Sequence, residues 1–443
     1  MLAGAASIMV GMTHAASLSR RAFFPFLIFS PPERRRPNIL VVMSDQESAL
    51  LPGPASLPHR RRLTERGVTF RYAFANTPQC SAARSALLTG LEPHRTGVIT
   101  NVDAGSLGKP LSPRLPTLGS VLREAGYRTG YFGKWHLGND ERGLAQFGFD
   151  TYAPWKSDES TAKEAAQWIR SQTEPWLAWV SFVNPHDIYQ FPRLMARVEP
   201  RPGVRPPASG PESLEGKPSE QREYMERDQG RVARRYGPAE WIRYRTYYLE
   251  LVEKVDALLG QVLDACPLEG TVAVYTSDHG DALGEHGLPF KGPFMYEPLI
   301  RIPLVIASPG GALGRGERTD LVTQADLAPT LAALAGVPWP SPVSGLNLAR
   351  ARGERREVFL EYYAKQKWVN PIRTIRTRRW KLNRYDRGNV ELYDLERDPD
   401  EVRNLAAEPS LASLRKQLEE RLDAWRKPWL ESALRSPAAA ATI

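Results

Sequence analysis

Four short apolar runs in this chain end in residues able to hold a cation and an anion. The run at 39–44 (ILVVMS) is followed by Asp45-Gln46, and that at 271–277 (TVAVYTS) by Asp278-His279. The run ending at Phe132 leads into Gly133-Lys134-Trp135-His136, and the one at 176–183 into Asn184-Pro185-His186. Three of the seven histidines therefore stand just past an apolar run, more than scattered turn residues would place there. Asp45 and Asp278, if brought to one edge, would repel each other unless a cation lay between them. With the amide oxygen of Gln46 they offer hard ligands suited to Ca²⁺, or to Mg²⁺ or Mn²⁺; His279 would add a nitrogen ligand or bind the anion instead. Zinc fits less well, because Cys80 and Cys266 are far apart and the ligands are mostly oxygen. Arg84, Lys134 and Lys291 are cations able to clamp charge that builds on a tetrahedral centre.

The stretch 77–90, TPQCSAARSALLTG, puts Cys80 where a helix should begin, four residues ahead of Arg84. A helix start presents free N–H groups and a positive dipole end to an anion. A lone cysteine among small residues is as readily an inert core residue as a reactive one. Spacing by itself leaves both readings open.

These residues can meet only if the runs are strands of one sheet. Runs that are apolar on both faces, bounded by turn residues and alternating with helical patterns, indicate parallel strands joined by helices. Residues 127–132 and 303–308 read the same way. In such open α/β sheets ligands bind beyond the carboxyl ends of the strands, where the polar pairs stand. Helices are expected at 115–125 and 241–265, the latter with Leu249, Val252, Val255, Leu258, Leu259 and Val262 on one core-facing side. Residues 198–238 carry Pro, Gly and mixed charge with little periodicity, and read as a substrate-facing insertion or a mobile loop. A compositional shift near 338–355 separates an α/β domain at 37–345 from a C-terminal subdomain at 346–443. There, strand-like pieces at 358–363, 372–377, 380–384 and 390–395 predict a small antiparallel sheet. A closing helix follows, with Leu411, Leu414, Leu418, Leu422 and Trp425 along one stripe.

The 443 residues are 42% hydrophobic and 25% charged, enough apolar material for a substantial core. The net charge of +9 favours anionic partners. No compact Lys/Arg tract interleaved with aromatics appears in the body of the chain, which argues against nucleic acid. Nothing after the N-terminal segment reaches the roughly 18 continuous apolar residues of a membrane span. Ser19-Arg20-Arg21-Ala22-Phe23-Phe24 resembles a twin-arginine export motif, and an apolar run at 22–29 follows it. Residues 1–36 are expected to be an export signal, giving a periplasmic or secreted protein, or else a disordered tail.

As a set, these residues resemble the type I, formylglycine-dependent sulfatases of the alkaline phosphatase superfamily. Cys80-Ser81-Ala82-Ala83-Arg84 with Leu88-Thr89-Gly90 is similar to the family's C-x-P/A-x-R signature and its L-T-G tail. Gly133-Lys134-Trp135-His136-Leu137-Gly138 and Thr276-Ser277-Asp278-His279-Gly280-Asp281 resemble its second and central blocks. Lys291-Gly292, Arg301-Ile302-Pro303-Leu304 and Glu391-Leu392-Tyr393-Asp394-Leu395 continue the likeness, in order, over residues 37–406. The resemblance implies an alkaline-phosphatase-like α/β fold: a mostly parallel sheet flanked by helices, with a smaller antiparallel-sheet subdomain. In that family the motif cysteine is oxidised to Cα-formylglycine, which hydrates to a geminal diol; Cys80 is expected to be so converted and to join the metal ligands. One diol oxygen would attack sulfur. The other, deprotonated by His136, would release sulfate. Arg84 would hold the diol and the metal shell, Lys134 and Lys291 the sulfate oxygens, and His186 would protonate the leaving alcohol. The expected substrate is an aryl or carbohydrate sulfate.

Two departures stand out. Gln46 occupies a place where the family often has a second Asp. Ala82 stands where the most familiar signature has Pro, and resembles the form handled by radical-type anaerobic maturases. The implied partner is therefore a formylglycine-generating enzyme or an anaerobic sulfatase-maturing enzyme. A phosphonate monoester or phosphodiester hydrolase of the same superfamily would share these residues. A non-catalytic anion-binding homologue is the reading from another class, against which the intact set of Asp45, Cys80, Arg84, Lys134, His136, Asp278 and Lys291 argues.

Overall fold

In the computed structural model, which describes residues 36–434 apart from 141, 366 and 367, the apolar runs become strands of one sheet. The export-like segment lies outside the described residues. At the centre is β1 (Asn38–Asp45), between β5 (Trp176–Pro185) and β6 (Thr271–Ser277), with β3 (Arg128–Gly133) beyond β5. An edge strand β4 (Thr151–Pro154) on one side, and β7 (Leu304–Ala307), β2 (Gly67–Phe74) and β8 (Gly316–Thr323) on the other, complete the order β4-β3-β5-β1-β6-β7-β2-β8.

The neighbours β3, β5, β1 and β6 all run parallel, so their carboxyl ends share one edge. The register sets them level: Ser44 pairs with Ser277, and Gly133 with Ser181. Every residue of β5 and β6 is buried, which is why these strands show no polar alternation. Ile39, Val41 and Met43 face a core closed by the helices Leu118–Glu124 and Leu327–Leu334; Leu40 and Val42 face the long helix Pro238–Leu263. That helix presents Val255, Leu258, Leu259 and Val262 to the core, as its spacing predicts.

The outer half of the sheet departs from expectation. The 303–308 run forms β7, which is antiparallel to both β6 and β2. Side-chain periodicity carries no strand direction, and both neighbours bury the strand as a parallel pair would. The strands β2, β4 and β8 carried no continuous apolar run; β8 is mostly exposed over its first half. Residues 198–238 are not a plain loop. They include a helix at Ser219–Arg227 and a 3₁₀ turn at Gln229–Ala233, anchored by fully buried Tyr224, whose hydroxyl donates to the Pro289 carbonyl at 2.8 Å.

The C-terminal strands β9 (Glu357–Lys365), β10 (Trp368–Thr377), β11 (Trp380–Tyr385) and β12 (Val390–Asp394) form the expected antiparallel sheet, in the order β12-β11-β10-β9. One face packs on Leu418 and Leu422 of the closing helix Ala412–Leu434. The other packs on Phe294, Tyr296, Leu299 and Ile300, just downstream of Lys291. Buried ion pairs pin this junction. Arg376 donates to both oxygens of Glu297 at 3.2 Å, and Lys381 lies between Glu297 and Glu401 while donating to the Met295 carbonyl at 2.7 Å. Burial opposes ionisation of Glu297, yet Arg376 and Lys381 hold its carboxyl below the usual range. Substituting Glu297→Ala strands the buried Arg376 guanidinium and leaves Lys381 with Glu401 alone, so urea unfolding should show a loss of about 3–5 kcal/mol. A change under about 1 kcal/mol would mean the apolar contacts alone hold the junction.

Candidate active site

The helix Cys80–Thr89 is buried at all ten positions and ends at Gly90, whose φ of +69° suits glycine at a helix C-terminus. It delivers Arg84 beneath the ends of the four parallel strands. The guanidinium donates from Nε to Asp278 Oδ2 at 2.9 Å and from Nη2 to Asp45 Oδ2 at 2.9 Å. From Nη1 it reaches the Lys134 carbonyl at 2.7 Å and Ser181 Oγ at 2.8 Å. One planar cation thereby joins β6, β1, β3 and β5. The helix start is less open to an anion than expected, because the Ser81 N–H is taken by Asn101 Oδ1 at 3.1 Å.

Asp45, Cys80, Asp278 and His279 each offer a ligand atom, and these atoms lie within 4.8 Å of one another. His279 Nδ1 donates to the Gly280 carbonyl at 2.9 Å, which leaves the Nε2 lone pair turned toward Cys80 Sγ at 3.3 Å. Gln46, at a φ of +72°, donates Nε2 to Asp281 Oδ2 at 2.8 Å, while its Oε1 is buried with no partner among the described residues. Two carboxylates, an imidazole nitrogen and an orphaned amide oxygen fit a hard divalent ion such as Ca²⁺, Mg²⁺ or Mn²⁺. Burial would raise Asp45, yet Lys134, with His186, Arg84 and Lys291, holds its carboxyl well below the usual range. Burial and then the Asp45 charge push Asp278 up. The Asp45 contribution is the repulsion expected between two acids at one edge.

A cavity of about 360 Å³ opens over Cys80, and Lys134, His136, His186 and Lys291 also line it. Lys291 Nζ lies 2.8 Å from Cys80 Sγ and 2.9 Å from His279 Nε2; Lys134 Nζ lies 2.5 Å from Asp45 Oδ2 and 3.9 Å from the sulfur. Against burial and the Asp45 charge, Lys134 and Lys291 hold the Cys80 thiol well below its ordinary range. The sulfur thus marks a position suited to negative charge. His136, at a φ of +57°, has Nε2 at 3.7 Å from Asp103 Oδ1 and a buried Nδ1 with no partner among the described residues. Burial opposes its protonation, but Asp103 and Cys80 together raise it above the ordinary value. Burial, with Lys291 and Lys134 acting against the Asp45 charge, pushes His186 down to about 3. A preformed imidazolium at His186 is therefore not available at neutral pH.

All ten residues singled out from the sequence converge here. Cys80, Lys134, His136, His186 and Lys291 line the cavity; Asp45, Gln46, Arg84, Asp278 and His279 are buried against it. Sequence reasoning missed Ser181, Asp103 and Gln324, whose Nε2 holds the Ser277 and Asp278 carbonyls at 3.1 and 2.6 Å. It also left Asp281 without a role, although the residue stands inside a quoted block.

A family model described as Sulfatase matches residues 37–337, and one described as N-sulphoglucosamine sulphohydrolase, C-terminal, matches 284–428. The chain belongs to the sulfatase family. Among relatives, the Delta 4,5-hexuronate-2-O-sulfatase of Bacteroides thetaiotaomicron is 29% identical, over 86% of this chain and 87% of its own. The choline-sulfatase of Rhizobium meliloti is 29% identical over 84% and 83%. Among solved structures, the phosphonate monoester hydrolase of Agrobacterium radiobacter superposes with a TM-score of 0.76 at 23% identity, covering 89% of this chain and 96% of its own. That likeness shows the fold.

Substituting Arg84→Met would leave Asp45 and Asp278 buried without the cation that joins them, and should cost about 3–5 kcal/mol in urea unfolding. Arg84→Lys should recover only part, since one ammonium cannot span four acceptors in a plane. Full recovery by lysine would show that charge alone, not the fork geometry, holds the strand ends.

Proposed function

We propose that this sulfatase-family enzyme hydrolyses the sulfate ester of a carbohydrate or aryl alcohol, with Cys80 converted to Cα-formylglycine and a divalent ion, Ca²⁺ in preference to Mg²⁺ or Mn²⁺, at the neighbouring acids. One observation carries the reading: Cys80 sits at the floor of a cavity where two lysines, two histidines and the metal-type donor set converge. Asp45, Asp278, His279 and Gln46 Oε1 would hold the ion, which would supply positive charge to acidify the nucleophile and polarise the ester. A hydrated formylglycine would supply one oxygen to attack sulfur and a second whose deprotonation expels sulfate.

The remaining roles belong to the chain's own side chains. Lys134 and Lys291 take the sulfuryl oxygens and neutralise the charge that develops there. His136 accepts the proton of the second hydroxyl, held in place by Asp103. Neutral His186 donates a hydrogen bond to the bridging oxygen. The entering sulfuryl anion is the nearby charge that raises it toward protonating the alcohol. The twin-arginine-like motif supports a periplasmic or secreted setting, and Ala82 supports an anaerobic maturase over a formylglycine-generating enzyme. A phosphonate monoester hydrolase is the second reading, favoured by the structural likeness to such an enzyme.

Mass spectrometry of the Cys80 peptide, from protein made alongside a maturase, should show loss of the thiol and gain of the aldehyde. Activity should follow the converted fraction. Fully active enzyme with an unmodified thiol would overturn the mechanism. The same preparation should hydrolyse an aryl sulfate faster than the matching aryl phosphonate; the reverse preference would select the second reading. The Asp103 carboxylate stabilises the His136 imidazolium, so the basic form required for sulfate release appears only as pH rises through a raised pKa. Substituting Asp103→Asn should move the acidic limb of the kcat profile to lower pH, and an unmoved limb would assign that proton to another group.

A further inference from the structure

The cavity has a second wall that none of the steps above uses. Gln79, immediately before Cys80, anchors its amide through Nε2 on the Ala364 carbonyl at 2.5 Å, and its Oε1 is buried with no partner among the described residues. The hydroxyl of Tyr362 on β9 and Oε1 of Gln229 are likewise buried without one. All three side chains line the cavity with Lys365, at the end of β9. Three elements distant in sequence thus bring side chains with unsatisfied polar atoms to one wall, each atom unfavourable while unpaired. Lys365 donates to Asp228 at 2.6 Å and rests over the Tyr224 ring at 4.9 Å. An ammonium has three donors, so two remain. Among the described residues that line the cavity the lysines are Lys134, Lys291 and Lys365, against the single acid Asp103. A sulfuryl group engages the first two lysines and leaves the third.

We propose that Gln79, Gln229, Tyr362 and Lys365 form the subsite for the leaving alcohol, and that this alcohol is a hydroxylated ring carrying a further anionic group, a carboxylate or a second sulfate. The inference rests on the sulfatase reading. The amide oxygens accept from ring hydroxyls, the Tyr362 hydroxyl donates or accepts, and Lys365 pairs with the extra anion. A quaternary ammonium alcohol would meet three lysines here, and a plain aryl group would leave the polar atoms unpaired.

The test uses converted enzyme and matched pairs of sugar sulfates. Members of each pair differ only in the added group, carboxylate in one series and second sulfate in the other, with the scissile sulfate at each ring position in turn. An aryl sulfate serves as the common reference. In at least one series the anionic member should exceed its neutral partner in kcat/KM by about tenfold or more. Substituting Lys365→Met should erase that advantage, and Lys365→Arg should keep most of it, which separates charge recognition from loss of packing. Tyr362→Phe should lower the sugar-to-aryl ratio for both members of the preferred pair. Neutral sugars preferred in every series, or an advantage that survives Lys365→Met, would overturn the proposal. Aryl sulfate turnover without any anion preference overturns this inference alone. Turnover of phosphonates with no sulfate ester accepted overturns the sulfatase reading and this one with it.

Discussion

The Arg84 guanidinium is the constraint on which the rest of the site depends. Four of its donors are spent on four strand ends, two through carboxylates, one through a carbonyl and one through a hydroxyl. Backbone pairing brings the Asp278 N–H to the Ser44 carbonyl at 3.3 Å but does not by itself fix how far apart the two carboxylates stand. The planar fork does, because both acids must meet it at hydrogen-bond distance. Lys134 comes under the same control through its own carbonyl, and Ser181 brings β5 into the set. The helix Cys80–Thr89 can carry such a charge fully buried because four of the five guanidinium donors find partners.

A second set of buried charges does comparable work at the other end of the chain. Glu297, Arg376, Lys381 and Glu401 lock the small sheet against the segment that follows Lys291. The small sheet is therefore part of the active site in two senses. It steadies the loop that delivers Lys291, and its β9 strand supplies Tyr362 and Lys365 to the cavity. The helix at Ser219–Arg227 belongs to the same arrangement: it buries Tyr224 among the aromatic residues of that junction and places Gln229 beside them.

Much of this was legible because chemistry and burial leave different marks. A strand buried on both faces is apolar throughout, so the first polar residues after it stand out, and Asp45, Lys134, His186 and Asp278 were found that way. Cys80 and Arg84, four apart, share one helix face by periodicity alone. What stayed hidden depends on through-space partners. Asp103 looks like any exposed loop acid until His136 is placed 3.7 Å from it. Ser181 lies inside an apolar strand, and its role appears only when Arg84 arrives. The two amide orientations, Gln46 set by Asp281 and Gln79 by the Ala364 carbonyl, follow from packing that no spacing encodes. The direction of β7 escaped for a related reason, since a four-residue strand between two others is apolar whichever way it runs.

Burial and the charges of the centre together set the state of its histidines. Asp45 and Asp278 face Arg84, Lys134 and Lys291, and the Cys80 thiol among them is held well below its ordinary range. Burial first, with the Lys291 and Lys134 charges set against that of Asp45, pushes His186 down to about 3. His136 is farther under the influence of Asp103 and moves the other way. Two imidazoles over one cavity are thus held in different protonation tendencies by their neighbours, a separation that suits one to accept a proton and the other to donate a hydrogen bond. An anion entering between Lys134 and Lys291 would offset the lysine charges that add to burial in disfavouring the His186 proton. In the proposed mechanism the acid would thereby be strengthened by the substrate it must serve.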